Sequence, residues 1–312
     1  MTGKVLAIAV NTFKEAVRNR ILYVLLFFAI LILLGAWVAS SLAIFGQEKI
    51  IRDLGVATIN IISVLIAVFV GVGLVYNDLD KKTIYTIVSK PISRWHFLVG
   101  KFLGLLLTIF VNILFMTFFF LLVLYFRDFT KDSVLEKLAV EGISGAGLMF
   151  YYIKSAVLAT GQALLTVGSL GFYETATTQG IMVSSFLTML EMTIITAFAV
   201  LFSSFSSPTL SAFLTVIVFL IGRANEDLYF FANMLVHRAG GVENLAGGQF
   251  LTYWFSLAAC HVAPNLEFFN QREVIAALGK PEIGFYPIFY GLAYAASVLA
   301  IATVVFNRRN FK

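Results

Sequence analysis

Charged side chains are scarce in this chain: 12% of its 312 residues, against 60% that are hydrophobic. A soluble domain carries roughly twice that charged fraction. With a mean hydropathy of +0.93, the apolar surface exceeds what a water-soluble core can hide. Lipid is therefore the expected solvent, and the expected class is a polytopic membrane protein. Cysteine is nearly missing. Cys260 stands alone, which excludes an intrachain disulfide, and it reads as a small apolar residue. Three histidines and no Cys/His cluster argue against a zinc centre, since zinc takes three or four protein ligands and His237 and His261 supply two. Catalytic signatures are lacking too. No G-x-x-x-x-G-K-[ST] loop is present to cradle ATP phosphates. No G-x-S-x-G elbow offers a nucleophile. Neither an internal repeat nor a low-complexity tract is evident. The formal charge of +5 needs no nucleic-acid partner, because basic cytoplasmic loops of a membrane protein account for it.

What is there is a series of apolar runs. The N-terminal residues 3–20 place Leu6, Ala9, Val10, Phe13, Ala16 and Val17 at helical spacing, with Lys14, Glu15, Arg18 and Asn19 largely off that stripe. This pattern reads as an amphipathic helix (residues 1–20) lying in the cytoplasmic interface. The run 21–45 is too long for a signal-peptide core and has no clear cleavage site, so it is expected to remain as the first span. Further spans are expected at 56–76, 98–126, 181–205, 209–222 and 285–306. At about 1.5 Å per residue most of these cross a hydrocarbon core about 30 Å thick. The run 209–222 is short for that task, and it either continues past Arg223 or tilts little.

Charge sets the orientation. The N-terminus, the stretch 81–101 and the C-terminal Arg308, Arg309 and Lys312 are basic, whereas 127–180 is balanced and 223–283 is acidic. Both termini and 78–97 are therefore expected in the cytoplasm, with 127–180 and 223–283 outside, in a multi-pass protein of the cell membrane, expected to be a prokaryotic cytoplasmic membrane. Two apolar segments complicate the count. Residues 146–172 carry Lys154 and Gln162, and 250–263 spans only about 14 residues, the range of re-entrant or interfacial segments. Both are read as membrane-associated pieces on the outer side. Eight spans would satisfy the terminal charges equally well.

The most informative stretch is the polar island 81–101. Lys81, Lys82, Lys90, Arg94 and Lys101 lie in it, with no acid after Asp80. Thr83 to Val88 reads as a short helix that Pro91 ends. Lys101 is expected at the headgroups, and Arg94 can bond carbonyls or lipid phosphates with its planar fork.

The ordered residues Asp78-Leu79-Asp80, Thr83, Ser89-Lys90-Pro91-Ile92-Ser93-Arg94 and Gly100-Lys101 resemble the signature of type 2 ABC exporter permeases. In that family an acidic pair ends the second span, a coupling helix and a kP-x-S-R turn follow, and a GK opens the third span. Ile51 to Gly55, Leu201 to Pro208 and Pro264-Asn265-Leu266 fit as weaker landmarks. The resemblance implies six transmembrane helices and no catalytic residue or cofactor in this chain, with ATP bound by a separate ABC ATPase subunit. It also implies pairing with a second permease chain and outward transport by alternating access. Asp78, Asp80, Lys81, Lys82, Thr83, Tyr85, Lys90, Pro91, Ser93 and Arg94 would then couple to the ATPase. The connection 127–180 departs from the family in being larger and more apolar.

Within the spans, Glu191 stands out. A carboxylate at that depth costs a few kcal/mol unless neutral or paired. It reads either as a substrate-path or gating residue or as a hydrogen-bonded packing residue, with Lys154 as one conceivable partner. Asn60 and Asn112 read as interhelical hydrogen bonders, and Gly71 and Gly73 as points of close helix approach. An ion-coupled secondary transporter or channel is the alternative function. It calls for intramembrane charges and broken helices in symmetric halves, and the halves of this chain do not match. A membrane-embedded enzyme is the third, and it lacks a catalytic cluster.

Overall fold

Long runs that are apolar on every side can only be buried or face lipid, and they satisfy their backbone internally by forming helices. A computed structural model describes residues 2–42, 46–80, 94–131, 176–270 and 285–308. Nine α-helices occur among the described residues: α1 (Thr2–Val17), α2 (Arg20–Leu42), α3 (Gln47–Asp80), α4 (Arg94–Lys131), α5 (Ala176–Ser203), α6 (Pro208–Arg223), α7 (Asn225–Ala239), α8 (Gly247–Val262) and α9 (Phe285–Arg308). Five of them, α2, α3, α4, α5 and α9, are long and apolar enough to cross a membrane. A sixth crossing results if α6 and α7, bent by 62° at Ala224, are one broken span. The chain is an all-α, multi-pass membrane protein.

The crossings alternate in direction. Thr117 late in α4 meets Ser185 early in α5, hydroxyl to hydroxyl at 2.8 Å. Phe97 near the start of α4 stacks on Phe306 near the end of α9, with centroids 6.2 Å apart. One end of the bundle, here called proximal, therefore gathers the starts of α2 and α4 and the ends of α3, α5 and α9. α5 is the central helix: its apolar stretch is 83% buried, against 22% for α2 and for α9, which form the rim. The proximal turn between α5 and α6 is closed by serines. Ser203 and Ser204 donate to Val200 O and Leu201 O, Ser206 donates to Phe202 O, and Pro208 opens α6, where its missing N–H is harmless.

Three elements differ from the sequence reading. The outer loop expected at 46–55 is already helical from Gln47, because nothing in Gln47 to Gly55 breaks a helix and Glu48 sits favourably in the first turn. At 34 and 38 residues, α3 and α4 are roughly 50 Å or longer and overhang the hydrocarbon. Next, α1 buries only part of its apolar stripe against the bundle, together with Thr12. Ala9, Thr12 and Ala16 are buried, while Leu6 and Val10 are exposed. Its most extensive contact is with α4. Finally, the expected close approach holds at Gly71, where a methyl group would lie 3.7 Å from the Ala199 Cβ, but not at Gly73, and a tighter one occurs at Gly100 and Gly104. A methyl group on Gly104 would lie 2.6 Å from the Ala9 carbonyl oxygen, and one on Gly100 would lie 2.7 Å from the Ile8 side chain. Gly73 has nothing within 4 Å of that position. The two glycines four residues apart form the small-residue groove into which α1 settles.

Candidate functional site

Glu191 lies twelve residues before the end of α5, roughly 18 Å along the helix from the proximal turn. It is completely buried. Asn60 of α3 donates to Glu191 Oε2 at 2.8 Å, and Arg223, the last residue of α6, places Nη1 3.4 Å from Glu191 Oε1. The second guanidinium nitrogen of Arg223 donates to Asn270 Oδ1 at 2.8 Å. Asn270 in turn donates to Glu267. Five side chains thus run in a polar line from α3 through α5 and α6 to the segment before α9. Arg223 is the hub, with one acid directly on it and a second reached through Asn270. It keeps 26% of its surface accessible, whereas Glu191 keeps none. A buried carboxylate held by both a guanidinium and an amide has its charge compensated, which is the condition for an ionised acid at this depth.

Local backbone puts the line there. The sixteen residues of α6 rise only about 24 Å, so a helix that starts at one face of a hydrocarbon core about 30 Å thick ends within it. At Ala224 the chain turns away into α7. Helices α7 and α8 form a hairpin. Gly240, in the left-handed region at φ 72°, ends α7. At the other end of the hairpin, Asn225 Nδ2 donates to Cys260 O at 3.1 Å and the Cys260 thiol donates to Asn225 O at 3.4 Å. Burial pushes that thiol above its ordinary pKa. The chain then returns to the bundle over residues 263–270, irregular at first and then as one 3-10 turn at Glu267–Phe269. Leu266 N donates to Gly222 O at 3.0 Å, and Asn265 N donates to Tyr290 Oη at 2.8 Å. Gly222 is required here, since a methyl group would lie 2.6 Å from Pro264 O. Leu266 and Phe269 are fully buried. Irregular backbone at membrane depth survives only when protein covers it, and these contacts provide the cover. The segment expected at 250–263 is thus one arm of this hairpin, and its 16 residues are short for a crossing.

The sequence-derived candidates fall into two groups. Glu191 and Asn60 come together as described. Asn112, expected to bond between helices, instead donates to Thr108 O one turn back in its own helix at 2.7 Å. Lys101, expected at the headgroups, is 98% covered: it lies beneath α1, with Nζ 3.3 Å from Glu15 Oε2. Asp78 and Asp80 belong to the last turn of α3, and Arg94 is the first residue of α4. Lys81, Lys82, Thr83, Tyr85, Lys90, Pro91 and Ser93, like Lys154, lie outside the described residues. Arg223, Asn270 and Glu15 were missed. Arg223 had been grouped with the outer-loop charges, yet a run of 14 apolar residues before it, about 21 Å of helix, cannot carry it out of the bilayer. Among the described residues, two ion pairs, a bent helix pair and a packed return segment tie the helices together. No protein-family model matches this chain, and no curated protein matches it by sequence.

Proposed function

We propose that this chain is the transmembrane permease subunit of an ATP-driven ABC transporter, an exporter, working as a dimer with a separate cytoplasmic ATPase. The observation that carries this reading is the ordered element from Asp78 to Lys101. An acidic pair ends α3, a basic Pro-containing connection follows, and Arg94 opens α4, whose Gly100-Lys101 step grips α1. A permease without a nucleotide site needs a rigid element that receives motion from its motor. The two helices of 34 and 38 residues that flank the connection, one of them clamped to α1, would receive that motion. In this reading Lys81, Lys82 and Tyr85 contact the ATPase, and the Glu191–Arg223 pair is a gate that parts when α6 moves relative to α5. Co-purification is the test. Affinity capture of the tagged protein from its native membrane should bring down an ATPase, and cysteines placed at 82 to 86 should crosslink to it. Capture without any ATPase, together with crosslinks confined to lipid, rejects the assignment.

The broken helix beside buried charges favours a second reading, an ion-coupled secondary transporter. In proteoliposomes such a protein moves its substrate on an ion gradient with no ATPase present, an outcome the first reading forbids.

A further inference from the structure

Helix α1 has three faces, each with its own chemistry. Residues Ile8, Ala9, Thr12 and Ala16 turn to α4, closed by the Glu15–Lys101 pair. Leu6, Val10, Phe13 and Val17 recur at intervals of four and three, as one stripe. Leu6 is 66% exposed and Val10 40%. A third stripe at the same spacing holds Ala7, Asn11, Lys14 and Arg18, all exposed, with Lys4 at its start. At about 100° per residue the three stripes lie roughly a third of a turn apart. An apolar stripe and a basic stripe therefore run side by side along the surface that α4 leaves uncovered.

The surroundings say what this surface meets. α1 passes into α2 after one break, where Asn19 Oδ1 accepts a hydrogen bond from Ile21 N at 3.0 Å. α2 is a rim helix, and its first residues Ile21, Tyr23 and Val24 are exposed. The apolar stripe of α1 thus leads into an apolar surface of α2 that suits acyl chains. The basic stripe then falls at the headgroups beside it. From this geometry we infer that Lys14 and Arg18 form a binding surface for anionic phospholipid headgroups. The Glu15–Lys101 pair and the Gly100/Gly104 groove hold that surface in register with the root of α4. The inference goes beyond the transport reading and is independent of whether an ATPase partner is found.

The test uses the full chain in nanodiscs of equimolar phosphatidylglycerol and phosphatidylcholine. A fluorophore is attached at Asn11→Cys in a Cys260→Ser background, and brominated quenching chains are carried by one lipid or by the other. At low salt the anionic lipid should quench preferentially, with local enrichment on the order of fivefold, the equivalent of about 1 kcal/mol for one basic side chain at the headgroups. Lys14→Gln with Arg18→Gln should bring the two lipids to parity while leaving α1 equally resistant to protease, since neither residue touches the α4 groove. High salt should do the same to the unsubstituted stripe. Equal quenching by both lipids at low salt, as an acidic protein surface as the true occupant would give, overturns the inference. So does a preference that survives the double substitution.

Discussion

Among the described residues two ion pairs with one sealed partner each hold this bundle, and they are mirror images in charge. In the middle of the membrane the acid is the sealed partner: Glu191 is 0% exposed and Arg223 26%. At the proximal end the base is sealed: Lys101 is 2% exposed and Glu15 37%. In each case the sealed residue belongs to a long crossing helix, and the accessible one comes from a shorter element laid against it. The difference matters because a deep ion has no alternative to its partner, whereas a half-exposed one can turn to water. Each pair is therefore fragile on one side only, and the fragile side has opposite sign in the two.

Arg223→Met should have the largest effect. It strands Glu191 without its cation, a loss of about 3–5 kcal/mol, read as a lowered midpoint of thermal unfolding in detergent. Adding Glu191→Gln should restore much of it, and a double-mutant cycle measures the coupling. Should Arg223→Met and Lys101→Met cost the same, the one-sided fragility is wrong.

The next effect concerns the glycine groove. Gly104→Ala should cost about 1–3 kcal/mol through overpacking against Ala9 and Thr12. Gly73→Ala, with open space around it, should be neutral or slightly stabilising, as alanine is the better helix former. Limited proteolysis of α1 distinguishes them: only the first should expose it.

Glu191→Gln alone should be milder, because the glutamine oxygen can accept from Arg223 while its amide donates to a flipped Asn60, and Arg223 keeps Asn270 and some solvent. Its expected effect is on turnover rather than folding. Unchanged transport across the working pH range would make Glu191 a packing residue.

The smallest effects are expected at two sites. Lys101→Met leaves Glu15 free to face water, so its cost should stay near 1 kcal/mol or below. Asn60→Ala should remove an interhelical bond worth roughly 0.6–2 kcal/mol, detected as a small shift in the same unfolding midpoint.

The crossing helices were legible because hydropathy over some twenty residues is a local property, and the solvent imposes it. The N-terminal helix was legible as a helix but only in part as to its docked face. Leu6 and Val10 are its larger apolar residues, yet lipid rather than protein takes them, and the protein contact goes to small residues that fit two glycines of another helix. Within a bilayer, size governs helix contact more than hydrophobicity does. Glu191 was legible because a carboxylate inside a run is conspicuous. Its partners were not, since Arg223 and Asn60 lie 32 and 131 residues away and depend on where α6 stops. The hairpin α7–α8 was legible only as an apolar stretch too short to cross.

The return segment before α9 sets the order in which this protein is built. Leu266 and Phe269 are covered by Gly222, Leu190 and Gly291, and the Asn265 amide is satisfied by the Tyr290 hydroxyl. Gly291 and Tyr290 belong to α9, which follows the return segment in the chain. Until it arrives, the hairpin has nowhere dry to rest its unpaired backbone, and the polar line from Glu191 to Glu267 lacks its lid. The seam thus closes only once α9 is in place. A nascent chain cut short before Phe285 would carry α2 to α6 and still present quality-control machinery with an open seam.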